Sequence, residues 1–224
     1  MIAYSLDGTV ATITMDDGKV NVLSPAALAA LNSALDRAEQ DAAVVVLSGR
    51  PGVFSAGFDL PTLRAGGGEG LAMLKAGFST AARLLAFPTP VVVACTGHAI
   101  AMGVFLVLSG DYRVGADGPF KLTANEVAIG LTLPAAAIEI CRQRLAPAQF
   151  NRAVLLAETF SPVDAVDAGF LDRVVPPDDV LAAAQGTAAE LAGLDMQAHH
   201  ATKRRVRSES LARIQASIDA DLAA

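Results

Sequence analysis

Two uninterrupted apolar runs set the strongest limit on the fold. They are Val44-Val45-Val46-Leu47 and Val91-Val92-Val93-Ala94-Cys95. Neither alternates between apolar and polar residues, so neither has a face to spare for water. Strands of that kind are buried on both sides, which happens chiefly in parallel sheets flanked by helices. Both runs lead into segments of small residues. Gly49, Pro51 and Gly52 follow the first, and Thr96-Gly97-His98-Ala99 follows the second.

The rest of the chain is arranged around these strands. Near the start, Ile2–Leu6 and Val10–Met15 flank Asp7-Gly8, which predicts a hairpin. Ser24-Pro25 opens a helix with Ser as cap and Pro at the first helical position. Asp111–Val114 reads as a further short strand and Phe170–Val175 as an extended piece. Helices are expected over 71–86, 102–109, 134–144, 147–157 and from Ser161-Pro162 to Gly169, with two or three more after Asp178. Ala65–Gly70, with four glycines, reads as the most flexible stretch. Strands dominate early and helices late, so the fold class is α/β with a helical C-terminal layer. The boundary is drawn between 1–176, the core, and 177–224, the helical region.

Several function classes are excluded at this level. Seventeen Lys plus Arg against 23 Asp plus Glu give a net charge of −6, which argues against nucleic acid as a partner. No run approaches the roughly 18 apolar residues of a membrane span, so no membrane is expected. The start, Met1 to Asp7, lacks a basic region, and a cytoplasmic location is the default. Cys95 and Cys141 form no CxxC and read as buried hydrophobes. His98, His199 and His200 lack zinc spacing, so no metal is expected. Neither a GxSxG elbow nor a P-loop is present.

Chemistry is concentrated at two junctions, Phe54-Ser55-Ala56-Gly57-Phe58-Asp59-Leu60 and Thr96 to Gly103. Small residues let a ligand approach backbone N–H groups. If Met102 begins a helix, its N–H is unpaired and lies at the positive end of the dipole. Two such N–H groups at one point would make an oxyanion hole. Spacing alone leaves a second reading open, in which both turns only pack tightly.

The residues at these junctions resemble the crotonase superfamily, also called the enoyl-CoA hydratase/isomerase family. Residues 54–60 are similar to its F-x-A-G-x-D-L motif, and Pro90 to Gly103 to its P-x-I-A-x-x-x-G-x-A-x-G-G-G motif. Asn125-Glu126 to Gly130, followed by Pro134, resembles its P-E-x-x-x-G…P segment, and Ala165 to Pro176 its A-x-x-x-G-L-V-x-x-V-V-P stretch. Thr202-Lys203 stands where the family has a late Thr-Lys. The resemblance spans about Met1 to Arg207. It implies a crotonase-like ββα spiral core, an acyl-CoA thioester as substrate, no cofactor beyond the coenzyme A of that substrate, and a homotrimer or dimer of trimers.

It also implies roles. The N–H groups of Phe58 and Met102 would be the oxyanion donors, and Ala56, Gly57, Phe58, Asp59 and Leu60 would line the bent CoA. Asp59 is expected to close its turn as well. Met102 stands where the family has Gly, and its side chain is expected to narrow the acyl pocket or enter the core. The family's hydratases place a first glutamate three residues on, and here that residue is Phe105, assigned with Met102 to the acyl pocket. Only Glu126 remains. One base suffices to move a double bond, since the proton taken from C2 returns at C4. An apolar neighbourhood should raise its pKa. The resemblance therefore favours Δ3-Δ2-enoyl-CoA isomerisation. Hydration of 2-enoyl-CoA and weakly catalytic acyl-CoA binding are the alternatives. Lys203, in the only dense basic cluster, is the candidate for the CoA phosphates, of this or of a neighbouring subunit, the other reading of that cluster being a solvated helix face.

Overall fold

The computed structural model describes residues 1–65 and 67–221. The expected hairpin is present. Strand β1 (Ile2–Asp7) pairs antiparallel with β2 (Val10–Met15), and Gly8 takes the positive φ of 55° that the turn demands. After β3 (Val22–Leu23), helix α1 (Pro25–Gln40) starts at Ser24, whose side chain accepts from the Ala27 N–H. The first valine run becomes β4 (Val44–Ser48), buried at every position. Then follow β5 (Gly52–Ser55), β6 (Gly57–Phe58), α2 (Leu60–Ala65) and α3 (Gly67–Ala86).

The second run is β7 (Val91–Cys95), also buried throughout. It leads to β8 (Gly97–Ile100), α4 (Met102–Leu108), β9 (Tyr112–Ala116) and β10 (Leu122–Thr123). Helices α5 (Ala135–Arg142), α6 (Pro147–Leu155) and α7 (Pro162–Ala168) precede β11 (Arg173–Val175), and α8 (Val180–Leu191), α9 (Met196–Val206) and α10 (Ser208–Asp221) complete the described chain. The stretch assigned to a flexible loop is helical on both sides of residue 66. Helix α3 begins at Gly67, four residues before the apolar signal at Leu71; Gly66 itself lies outside the described residues.

Six strands form the main sheet in the order β1-β2-β4-β7-β9-β11, parallel from β2 onward. Both faces are covered, as the valine runs required. On one face α8 lays Val180, Ala184 and Ala188 against Val44, Val46, Val92 and Val114. On the other lies the main core, where Val45, Leu47, Val91 and Val93 meet α1, α3 and the fully buried α4. The late helical region therefore packs directly on the strands. Helix α10 buries Ile214 and Ile218 completely in that same core. Among the described residues, no helix is long and apolar enough to cross a membrane.

A second, smaller sheet was not legible in the sequence. Its order is β10-β8-β5, all parallel, with Leu122 opposite Ala99 and Gly52 opposite Gly97. Glycine permits the close approach here, because a Cβ on Gly97 would lie 2.1 Å from the Gly52 carbonyl. Nearby, β3 pairs parallel with β6.

Candidate active site

The small sheet positions the site. Its three parallel strands end at one edge, and each is followed by a residue singled out above. Beyond β5 come Gly57 and Phe58, beyond β8 come Ala101 and Met102, and beyond β10 come Asn125 and Glu126. Crevices beyond the carboxyl ends of parallel strands are where α/β sheets hold ligands. A cavity of about 330 Å³ opens there. Ala56, Phe58, Ala101, Asn125 and Glu126 border it, and α2 and α3 wall it with Leu60, Leu63, Leu74 and Phe78.

The first junction is held by groups whose role the sequence did not disclose. Asn21 is buried at a positive φ of 54°, and its Nδ2 donates to Met15 O at 2.8 Å and Phe54 O at 3.0 Å. Ser55 Oγ donates to Asn21 O at 2.7 Å and accepts from Gly57 N at 3.1 Å. The only sequence signal was an Asn, a residue that tolerates left-handed backbone, beside a turn. Gly57 has φ +87°, and a Cβ there would meet Ala101 Cβ and Ile100 O at 2.9 Å and Met102 N at 3.2 Å. The two junctions therefore touch at this glycine. Asp59 closes its turn as expected: its Oδ2 accepts from Thr62 N at 3.1 Å and Thr62 Oγ1 at 2.6 Å, capping α2.

The second junction carries backbone strain. Ala101 has φ 51° and ψ −126°, a region that glycine enters freely and other residues avoid. The next residue, Met102, opens α4, so its N–H has no intrahelical acceptor. Relieving the strain has a measurable consequence. Ala101→Gly is expected to raise stability by about 1 kcal/mol, or roughly 2–4 °C in melting temperature. A melting temperature that falls would show that Ala101 sits there at no cost.

Two side chains assigned to the acyl pocket do not line it. Met102 is fully buried, with Cγ 3.6 Å from where a Cβ on Gly77 would stand. Phe105 is 1% exposed and packs on Phe78 at 6.1 Å between ring centroids. Helix α4 is enclosed on all sides, so both side chains are taken into the core. Phe78 also meets the Phe58 ring, 6.1 Å away and edge to face.

Glu126 reaches the cavity from a tight 3-10 turn at Val127–Ile129. Its carbonyl accepts from Ile129 N at 3.0 Å and Leu131 N at 2.9 Å, which fixes the turn. Among the described residues that border the cavity, Glu126 alone is ionisable. Its Oε2 is buried without a hydrogen-bond partner, and so is Asn125 Oδ1 beside it. Burial pushes the Glu126 carboxyl up to about 7. A carboxyl so poised holds or releases a proton near neutral pH.

Lys203 is not brought to this cavity. It is 6% exposed, and its Nζ donates to Asp111 Oδ2 at 2.6 Å and Thr89 O at 3.3 Å. Arg207 Nη2 stands 2.9 Å from the other Asp111 oxygen. The charge assigned to a CoA phosphate is thus taken up inside the fold, where an unpaired ammonium could not stay.

Comparison with known proteins agrees with this architecture. The sequence model described as "Enoyl-CoA hydratase/isomerase" matches residues 5–223. Human mitochondrial enoyl-CoA delta isomerase 1 is 30% identical over 218 residues, covering 95% of this chain and 72% of that protein. A crystal structure of an enoyl-CoA hydratase/isomerase family protein from Pseudomonas syringae superposes with a TM-score of 0.97 at 45% identity, covering 99% of this chain and 96% of the other. The structure of an enoyl-CoA hydratase, EchA3, from Mycobacterium ulcerans gives 0.95 at 49% identity, covering 97% and 96%.

Proposed function

Since this chain belongs to the enoyl-CoA hydratase/isomerase family, we propose that it moves the double bond of a 3-enoyl-CoA to C2, with Glu126 as the single proton carrier. The observation that carries this reading is that Glu126 is the one ionisable side chain among the described residues of a mostly apolar cavity. Hydration by the two-glutamate route needs a second acid, and Phe105, at the position in question, is a buried core residue.

In this reading the thioester oxygen lies against the N–H groups of Phe58 and Met102. The Glu126 carboxylate removes a proton from C2. The C–H electron pair delocalises through the thioester, and negative charge gathers on oxygen, where the two amides stabilise it. The carboxylic acid so formed returns its proton to C4, the C3=C4 double bond becomes C2=C3, and Glu126 is a carboxylate again. One group serves twice, which suits a pKa near the working pH. The apolar walls contributed by Leu63, Leu74 and Phe78 suit an unbranched hydrocarbon tail.

The test compares two substrates. Purified protein is expected to convert 3-enoyl-CoA to 2-enoyl-CoA and to hydrate 2-enoyl-CoA at least about 100-fold more slowly, the margin that one missing acid–base group typically costs. Rapid hydration with 3-enoyl-CoA left intact would overturn the assignment in favour of a hydratase. Binding of both esters without turnover would identify an acyl-CoA-binding protein.

A further inference from the structure

Met102 opens α4 directly after Ala101, which borders the cavity, yet its own side chain is fully buried in the core. We propose that this side chain is a positioning residue: buried against α3, it holds the Ala101–Met102 peptide with the N–H turned toward the substrate. The inference rests on the oxyanion role given to that amide above.

The peptide has reason to turn away. Ala101 sits at φ 51°, ψ −126°, and rotation to an ordinary alanine conformation would relieve it. That rotation swings the following N–H out of place. Three contacts oppose it from the Ala101 side. Ala101 N donates to Thr123 O at 3.0 Å, and Ala101 O accepts from Val104 N at 2.9 Å and Phe105 N at 3.3 Å. Tight packing closes a second side, since a Cβ on Gly103 would fall 2.3 Å from Ser55 O. The remaining freedom lies toward α3, and the Met102 side chain fills it. It is completely buried in the main core, beside Gly77, which also receives the Phe58 ring. Gly77 thus brings both amide-bearing residues, 58 and 102, against one turn of α3. Chains with glycine at both positions would have neither the strain nor the anchor. Ala101 and Met102 both stand at Gly positions of the motif that Pro90 to Gly103 resembles, and here the anchor of the second holds the strain of the first.

The experiment reads the amide directly. The probe is 2,4-dienoyl-CoA, whose absorbance moves to the red when a hydrogen bond polarises its thioester carbonyl. The parent protein is expected to shift the bound probe. Met102→Ala is expected to lose most of the shift and to lower kcat by about 10-fold or more, with KM changed less than about 3-fold, measured where the variant remains folded. Met102→Leu, of similar volume, should restore most of both. If Met102→Ala fails to fold, the milder truncation Met102→Val is read in its place, with a partial loss of the shift expected and an unchanged shift overturning the proposal. A role in stability alone would lower the melting temperature and leave the shift and kcat per folded molecule intact, and that outcome overturns the proposal. So does a parent protein that binds the probe without shifting it, or does not bind it. A parent that shifts the probe but leaves 3-enoyl-CoA unchanged refutes the isomerase reading and leaves the anchor standing if Met102→Ala abolishes the shift.

Discussion

Glu126→Gln is expected to reduce isomerisation at least about 1,000-fold while acyl-CoA affinity stays within about 3-fold. Glutamine keeps the shape and the polarity of the side chain but carries no proton that it can exchange. In the parent, kcat/KM should climb with pH and level off above about 7, because only the carboxylate can take the C2 proton. The same shift makes a separate statement about stability. The folded-state pKa lies above the ordinary 4.5, so the folded state binds the proton more tightly than the unfolded chain does. Stability is then lost as pH rises from about 4.5 to about 7. Glu126→Gln should match the parent at pH 4 and exceed it at pH 8 by on the order of 1–3 kcal/mol. A variant that keeps its rate would remove Glu126 from the mechanism. One that melts no higher than the parent at pH 8 would show the carboxylate to be better solvated than its burial implies.

The second large effect concerns the fold. Asp111→Ala is expected to destabilise the protein by about 3–5 kcal/mol, lowering the melting temperature by roughly 10 °C. Asp111 accepts from Val91 N at 2.8 Å, from Lys203 at 2.6 Å and from Arg207 at 2.9 Å. Its removal would leave two cationic side chains, only 3% and 11% exposed, facing each other without a counter-charge. Most of the cost comes from those stranded charges, so adding Lys203→Met should recover part of it. A loss below about 1 kcal/mol, the range of an exposed pair, would show that water reaches the cluster.

That cluster also shows where sequence reading stops. Lys203 sits in a run of four basic residues within five positions, which looks like a solvated or ligand-facing patch. Its partner is Asp111, 92 positions away, and nothing local announces the pairing. The valine strands were legible for the opposite reason. Burial on both faces leaves an unbroken apolar run, and its strand length, β-branched residues and flanking Gly and Pro mark it as a strand. Strands β6, β8 and β10 were not legible because they are two to four residues long and defined by what lies beside them. Side-chain direction was lost in the same way. Residues 102 and 105 belong to a helix enclosed on every side, so their position next to a cavity says little about which way they point. Glu126 was located through its motif; its orphaned oxygen and the mostly apolar walls around it emerge only in three dimensions.

The seating of α10 bears on how the protein is made. The cavity wall on α3 is backed by Ile214 and Ile218, which join the main core from the far end of the described chain. Until the ribosome has released those residues, the side of α3 that packs on α10 lacks that cover. A core joined by so late a helix passes through such a half-clad stage during synthesis, when chaperones and aggregation compete for the same surface. A nascent chain stalled near residue 207 would already hold every residue assigned to chemistry, and would still lack the helix that packs on α3 and α5.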